Sequence, residues 1–599
     1  MYMYIHFITD QETKMDFTNL LTLFGGISLF LFGMTVMGDA LEKSAGSQLK
    51  GLLAKMTSNP LKGFILGAAV TAIIQSSSAT TVMLVGFVNS GIMTLSAVIP
   101  VIMGANVGTT ITAWILSLMG VDGGESFIMT MLKPTSFTPV LAVIGVVLYV
   151  FLKDSKRKDI GLILLGFSVL IYGMDIMTGA VAPLAENEAF KNLLLMFDNP
   201  LLGVLAGAVI TAIIQSSSAS VGILQALSAT GVVTFGSAIP IIMGQNIGTC
   251  VTAMISSVGA NKNARRVAMV HLYFNIVGTV SLLSIFYIIN GIVRFEFLGN
   301  AIDEKYIAIV HTAFNIGCTL LLLPCHKLLE KLAIITIKDK KNAEEKVSLF
   351  DDRLLTTPSV ALDRCRNVAI TMAETSVASL MKSLTLFDNY DRKLFDEMDK
   401  EEDQVDIYED EIGSYLVKLT KCGLSESDSL EVTKLLHIIG DLERISDHAV
   451  NLAESAQEIY EKKISFSAQA QNELSIMICA VREILNASLS SFTQNSLDFA
   501  ATVEPLEEVV DNLKDQIKLN HIKRLQNNEC TIELGFILSD LLTNLERISD
   551  HCSNIAGCVI EIAHNSLGMH GYTKALRRGN EVYDRHYKEY SEKYSLKAE

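Results

Sequence analysis

Two serine-rich peptides in the apolar half of the chain carry the residues best suited to bind an ion. The peptide QSSSAT begins at Gln75 and recurs as QSSSAS at Gln215, each time between two apolar runs. A hydroxyl or amide left unpaired in an apolar medium costs about 2–7 kcal/mol, and polar residues at membrane depth usually serve a substrate or ion path. The candidate ligands are Gln75, Ser76, Ser77, Ser78, Thr80, Thr81, Gln215, Ser216, Ser217, Ser218 and Ser220.

A second duplicated pair of segments adds further oxygen atoms and amides. GANVGTT begins at Gly104 and GQNIGTC begins at Gly244, so each follows a serine-rich peptide at the same distance. A helix that starts just after QSSS would direct its free N–H groups and positive dipole end at an anion, while hydroxyl and carbonyl oxygens suit sodium. The ligands expected here are Asn106, Thr109, Thr110, Asn246 and Thr249. The small residues alone could instead serve close helix packing.

These motifs belong to an internal duplication with a shift of 140 residues. The shift maps GISLFLFGM at Gly26 onto GFSVLIYGM at Gly166, NPL at Asn59 onto NPL at Asn199, and both polar motifs onto their partners without a gap. We predict repeats over about 20–155 and 160–295 inside a membrane domain of residues 1–330.

Apolar runs long enough to cross a bilayer, about 20 residues each, define the predicted spans. The runs around QSSS are 14 residues each and too short, so we predict a re-entrant hairpin with QSSS at its tip. Each repeat then has three crossings and one hairpin, and because three is odd the second repeat must be inverted. The predicted spans are 20–38, 96–118, 136–152, 160–182, 237–258, 267–290 and a final span at 306–324.

The loop charges predict the orientation. Lysine and arginine are concentrated in loops 39–62, 153–159 and 259–266, on one side of the predicted topology. The positive-inside rule makes that side cytoplasmic, with the N-terminus outside and the C-terminal half inside. The first residues lack the features of a cleaved signal peptide. The nine cysteines show no paired spacing and predict reduced or buried thiols.

A second, shorter repeated motif occurs in two successive predicted spans. His271 and Asn275 lie four residues apart, as do His311 and Asn315, so each pair shares a helix face. These side chains either line the pathway or bond across helices.

The second half of the chain has a different composition. Up to Lys340 there are 18 acidic and 20 basic residues, whereas the remainder holds 46 acidic and 28 basic residues, so the net charge of −16 comes from this soluble part. LERISDH recurs at Leu442 and Leu545, and an ExxxD pair precedes each copy. Long helical periodicity predicts a bundle of two three-helix repeats, at about 360–462 and 466–563.

ExxxD places two carboxylates on one helix face, which either forms a solvated surface or gathers oxygen ligands for a divalent or transition metal. The candidate metal ligands are Glu402, Asp406, Glu443, Asp447, Glu507, Asp511, Glu546 and Asp550. His448 and His551 follow the motifs but point to another helix face.

The paired QSSS peptides and the two GxNxGT segments resemble the sodium–phosphate cotransporters of type II over residues 20–325. The resemblance implies sodium-coupled transport of inorganic phosphate, with both QSSS regions forming the site. The second half resembles the PhoU domain, which implies metal clusters built on ExxxD and a role in sensing or restraining the transporter.

These resemblances complete the predicted organisation of an all-α protein in the bacterial cytoplasmic membrane. A linker at 331–357 joins the membrane domain to a PhoU-like domain at 358–563, and a charged tail follows at 564–599. Export of phosphate, or a phosphate receptor that does not transport, is the alternative function. No P-loop or catalytic motif is present, and no nucleic acid partner is expected. The expected partners are phosphate, sodium and the lipid bilayer, with a homodimer or a signalling partner as further options.

Overall fold

The structure is a computed structural model that describes residues 17–53, 59–120, 133–338, 349–387, 389–563 and 581–596. It is all-α: outside its helices, the described chain shows only an isolated bridge between Thr234 and Ala301. The chain divides into two compact units, Met1–Val360 and Ala361–Glu599.

The first unit contains the apolar helices. They are α1 (Phe17–Leu53), α2 (Pro60–Ile74), α3 (Ser77–Asn89), α4 (Leu95–Ser117), α5 (Pro134–Val146), α6 (Ser155–Val181), α7 (Glu188–Leu195), α8 (Pro200–Ile214), α9 (Ser217–Ser228), α10 (Phe235–Gly248), α11 (Cys250–Ser256), α12 (Lys262–Val293), α13 (Glu304–Leu322) and α14 (His326–Thr336). All seven predicted spans coincide with stretches long and apolar enough to cross a membrane, and the protein is therefore a multi-pass membrane protein.

The two repeats meet through equivalent helices that run antiparallel. A side chain at Gly33 of α1 would clash with Gly166 and Leu170 of α6, and one at Gly173 would clash with Gly26 and Phe30. Because the repeat shift maps Gly26 onto Gly166 and Gly33 onto Gly173, the contact is related to itself by a two-fold axis. This geometry is what an inverted repeat requires.

The short helices around QSSS have the same construction in both repeats. The Asn59 side chain accepts hydrogen bonds from Leu61 N and Lys62 N, Pro60 occupies the first helical turn, and Asn199 and Pro200 repeat this start. Arms of 15 and 13 residues in the first copy, about 22 and 20 Å at 1.5 Å per residue, are shorter than a bilayer core. The second copy has arms of 15 and 12 residues.

Glycines hold each first arm against the long helix that follows. A Cβ atom at Gly104 would lie 1.9 Å from the carbonyl oxygen of Phe64, and one at Gly244 would lie 2.0 Å from that of Val204. Backbones can approach this closely only where no side chain intervenes. The polar GxNxGT segments are therefore packed directly beside the arms that lead to QSSS.

The second unit is a helical bundle. Its helices are α15 (Pro358–Leu386), α16 (Arg392–Leu419), α17 (Glu426–Lys462), α18 (Ala468–Gln494), α19 (Leu497–Gln526), α20 (Ile532–Ala563) and α21 (Glu581–Lys593). Helix α18 is also apolar enough to pass as a span, but it packs against α19 and α20 within the bundle. Within the predicted linker, 339–348 lie outside the described residues, as do 564–580 and 597–599 of the predicted tail.

Candidate functional site

The QSSS peptides lie at the break between the two short helices of each repeat. Gln75 ends the first arm in the left-handed conformation with φ of 60°, and Gln215 does the same with φ of 58°. The Ser76 and Ser216 hydroxyls cap the second arms by accepting from Ala79 N and Ala219 N. Helix geometry leaves the first N–H groups of each second arm without an intrahelical partner, directed at the tip.

The two tips, which are separated by 140 residues in sequence, lie against each other. The Ser78 hydroxyl is 3.5 Å from the carbonyl oxygen of Gln215. The second arms also pack on the opposite repeat: α3 contacts α11 and α12, and α9 contacts α4 and α1. The sequence predicted that the second arms begin just after QSSS. In the structure they begin within the motif, α3 at Ser77 and α9 at Ser217.

The two glutamines are not equivalent. The Gln75 side chain accepts a hydrogen bond from the Thr112 hydroxyl at 3.0 Å and donates to the carbonyl of Ala72. The Gln215 side chain is exposed. Sequence reasoning missed Thr112, although the repeat offered a signal, since Thr252 occupies the same position in the second copy.

The hydroxyls behind the tips are bonded in the first repeat and unpartnered in the second. Thr71 donates to the Thr80 hydroxyl at 3.1 Å, and Thr80 is the fourth residue of α3. In the second copy, neither the Thr211 nor the Ser220 hydroxyl has a hydrogen-bond partner within the described chain, and both residues are buried. Gln245, which the sequence did not indicate, donates to the carbonyl of Ser220 at 3.0 Å, and its side-chain oxygen has no hydrogen-bond partner among the described residues.

The GxNxGT side chains are buried and fixed to their own helices. Asn106 donates to Ile102 O at 2.9 Å and Asn246 donates to Ile242 O at 2.8 Å. Thr109 and Thr249 donate to the carbonyls four residues earlier. Thr110 donates to Val107 O. Each side-chain oxygen keeps lone pairs available for a cation.

The two His–Asn pairs are buried on separate helices of the first unit. Asn275 donates to the sulfur of Cys250 at 3.3 Å, which is a bond between α12 and α11. Neither ring nitrogen of His271 or His311 has a hydrogen-bond partner among the described residues. The sequence left open whether these pairs bond across helices. Asn275 makes such a bond, whereas the imidazoles of His271 and His311 make none with the described residues.

In the second unit, two groups of carboxylates have ligand oxygens within 4.8 Å of one another. The first joins Glu402 and Asp406 of α16 to Asp447 of α17. The second joins Glu507 and Asp511 of α19 to Asp550 of α20. Glu443 and Glu546 are the two predicted ligands that do not belong to these groups.

Partial burial, followed by repulsion between neighbouring carboxylates, raises the pKa of Glu402, Asp406, Glu443 and Asp550. Burial, followed by the charges of Asp406 and Asp447, raises the pKa of Glu402. Burial and Asp447 raise the pKa of Glu443 to about 7. In the second group, burial and Glu546 raise the pKa of Asp550. A divalent cation would relieve this repulsion, so the donor set fits a metal that prefers oxygen ligands.

The two groups differ in one position. Lys514 Nζ lies 2.8 Å from Glu546 Oε1 and its charge also interacts with Asp511 of the second group; its counterpart in the first repeat is Glu409. The first group is thus surrounded by additional negative charge, whereas a lysine partly neutralises the second.

His448 and His551 are not members of either group. Their rings stack with centroids 5.7 Å apart where α17 and α20 pack, and His551 Nδ1 is 2.8 Å from Asp441 Oδ1. His448 Nδ1 is 2.8 Å from Asn544 Oδ1. These contacts are structural links between the repeats, in agreement with their different helix face.

An inverted pair of repeats with broken helices meeting at polar tips is the architecture of a secondary transporter. Residues 29–179 and 169–303 match the family model described as Na+/Pi-cotransporter, and residues 369–456 and 474–559 match the PhoU domain. The chain belongs to the Na+/Pi-cotransporter family and carries PhoU domains after its membrane unit, so it is a phosphate transport protein by family.

Relatives cover the chain to different extents. "Putative inorganic phosphate export protein YjbB" of Escherichia coli K12 is 24% identical over 92% of this chain and 99% of its own length. "Uncharacterized protein YqeW" of Bacillus subtilis is 31% identical over 52% of this chain and 97% of its own length. Human "Sodium-dependent phosphate transport protein 2B" is 36% identical over 18% of this chain and 16% of its own. Among solved structures, PhoU from Pseudomonas aeruginosa aligns with 34% of this chain and 98% of its own at a TM-score of 0.33 and 22% identity.

Proposed function

We propose that this protein moves inorganic phosphate across the cytoplasmic membrane in a sodium-coupled cycle, through a site at the two QSSS tips. The observation that carries the proposal is the contact between Ser78 and the Gln215 carbonyl, which brings the tips of opposed repeats together. Two helix N-termini beside serine hydroxyls supply donors for an anion that must bind and leave again.

Sodium binds beside phosphate in this proposal. The hydroxyl and amide oxygens of Asn106, Thr109, Asn246 and Thr249 are buried next to the arms, and hard cations prefer such oxygens. Moving a divalent phosphate into a cell-negative interior at 100 mV costs about 4.6 kcal/mol, so at least two sodium ions per phosphate are needed to cancel that term.

The short arms support re-entrant hairpins that enter from opposite sides of the membrane. The concentration of basic residues in loops 153–159 and 259–266 supports a cytoplasmic location for that side and for the C-terminal unit. Thiol labelling of single cysteines placed in these loops and in loop 295–303, from each side of oriented vesicles, tests the topology. Labelling of both sets from the same side contradicts it.

Phosphate flux into liposomes tests coupling and direction together. Purified protein should accumulate labelled phosphate when sodium is high outside, release it when the sodium gradient is reversed, and lose most flux when all six serines at 76–78 and 216–218 become alanine. Phosphate flux that does not depend on the sodium gradient would show that transport is not coupled to sodium.

Export is the second candidate, because relatives that match nearly the whole chain carry the name "Putative inorganic phosphate export protein". The same site can serve either direction, and gradients decide which. Efflux that persists without sodium while uptake is absent favours export, and phosphate binding without flux favours a receptor.

The PhoU-like unit regulates the transporter in this proposal, with a metal ion held by Glu402, Asp406 and Asp447 and a second by Glu507, Asp511 and Asp550. The clustering of these acids and the raised pKa values of Glu402, Asp406 and Asp550 support the assignment. A bound metal would link two helices of each repeat and stiffen the bundle. Truncation after Val360 should leave phosphate flux but abolish its response to phosphate supply, and an unchanged response removes the regulatory role.

A further inference from the structure

A short described segment just before α15 packs on the helices of the first unit. Residues 349–357 contain a short 3-10 turn, Asp352–Thr356, which contacts α3, the helix that begins at the QSSS tip. Leu354 is completely buried, and Phe350 and Asp351 are also buried. We name residues 349–357 the strap.

Leu354 occupies a space that one glycine of α3 leaves open. A Cβ atom at Gly86 would lie 2.8 Å from Leu354 Cδ2, closer than real Cβ contacts allow. The second repeat has Ala226 at this position, and Ala226 packs in an apolar cluster with Phe30 and Met174. The absence of a side chain at Gly86 therefore makes room for Leu354 of the strap. The equivalent position of the second repeat, Ala226, does not share this feature.

Arg353 attaches the same turn to the other repeat. Its guanidinium donates to the carbonyl of Ser256, which ends α11, and to the carbonyl of Val258 at 2.9 Å. Asp351, which is almost fully buried, holds the guanidinium with oxygens at 2.9 and 3.1 Å. A cation at the last carbonyls of a helix is favoured by the helix dipole.

A third contact closes the same face of the unit. Asn261, the residue before α12, donates through its backbone N–H to the Asn89 side chain at 2.8 Å and through its side chain to the Asn89 carbonyl at 3.0 Å. Asn89 ends α3, so the far end of the QSSS helix is fixed to the second repeat next to the strap.

We propose that Arg353 and Leu354 are positioning residues for transport: the strap clamps the QSSS helix α3 to the end of α11, and opening of the site on this face requires its release. The proposal rests on the proposed transport function. The strap ends one residue before Pro358, where the first helix of the PhoU-like unit starts, so movement of that helix reaches Leu354 through four peptide bonds. The clamp gives a physical route from a regulatory domain to a transport site.

Accessibility of the tip tests the clamp without relying on phosphate movement. Full-length protein carrying S78C is placed in vesicles and treated with a membrane-impermeant thiol reagent from the face of residues 257–261, and labelling at position 78 is measured by mass spectrometry. L354A and R353A should raise the labelling rate at least threefold from this face. The control T356S, which trims an exposed methyl group of the same turn, should leave the rate unchanged.

A size-exchange pair separates a positioning role from simple damage. G86A should also raise the labelling rate, because its methyl group displaces Leu354. The double variant G86A/L354A should return toward the parent rate, because the smaller alanine at position 354 makes room for that methyl group. In variants with S78 intact, L354A and R353A should change the maximal phosphate flux or its KM.

If every variant that retains the parent's melting temperature is labelled at position 78 at the parent rate, the proposal is wrong. An equal increase in the labelling rate from both faces would also overturn it. Absence of flux in the parent protein would count against the proposed function, while the labelling rates still decide the clamp.

Discussion

Thr112 donates a hydrogen bond of 3.0 Å to the side-chain oxygen of Gln75, and this bond ties one QSSS tip to the polar helix of its own repeat. The equivalent Gln215 has an exposed side chain. The two repeats thus present chemically different tips: the Gln75 side chain is held by a hydrogen bond, and the Gln215 side chain is exposed.

The difference between the glutamines predicts different effects of substitution. Q75A should destabilise the protein by about 1–3 kcal/mol, because it leaves the buried Thr112 hydroxyl without its partner. Q215A should leave thermal stability unchanged and weaken phosphate uptake through KM. T112V is the matched variant, and a double-mutant cycle with Q75A should show coupling. Equal melting temperatures for Q75A and Q215A would contradict the assigned bond.

Close backbone packing predicts strong sensitivity at selected glycines. G104A and G244A should each cost roughly 1–3 kcal/mol or more, because the new methyl group would lie about 2 Å from a carbonyl oxygen. G25A and G179A are the controls, since nothing lies within 4 Å of a Cβ at either helical position. Detergent-solubilised melting temperatures measure the difference. Tolerance of G104A would show that the arm and the long helix are further apart.

The raised pKa of Glu443 predicts how the pH affects the metal-free PhoU-like unit. Its pKa in the folded protein is about 7, above its ordinary value of 4.5, so its contribution to stability is complete below about pH 4.5 and is lost as the pH rises through 7. The unfolding transition of the full-length protein in a chelator should therefore weaken over this window. E443Q should flatten the dependence, and a steeper dependence in E443Q would contradict it.

The first carboxylate group has Glu409 beside it where the second has Lys514, and this difference predicts unequal metal affinity of the two groups. The first group should bind a divalent ion such as Mn²⁺ more tightly, because the charge of Lys514, which interacts with Asp511 of the second group, opposes a cation. K514M should raise the affinity of the second group about tenfold. K523M, which removes an exposed charge further along the helix, is the control. Calorimetric titration of full-length protein with Mn²⁺ measures both, and two equal sites in the parent would refute the asymmetry.

The amino-acid sequence alone determined the all-α class, the duplication and the seven apolar spans, because hydropathy and a repeat shift without gaps are properties of the chain read in order. It also indicated inversion, since an odd number of crossings leaves no other topology. The antiparallel contact of Gly33 with Gly166 is consistent with that reasoning.

Tertiary structure decided what depends on contacts between distant residues. The bond between Thr112 and Gln75, the insertion of Lys514 beside Glu546 and the packing of Leu354 on Gly86 join residues that are 37, 32 and 268 positions apart. A sequence pattern records which side chains share a helix face, but the neighbours of that face are chosen by packing between helices. For this reason the tips could be found by reading the chain, whereas their asymmetry and the strap could not.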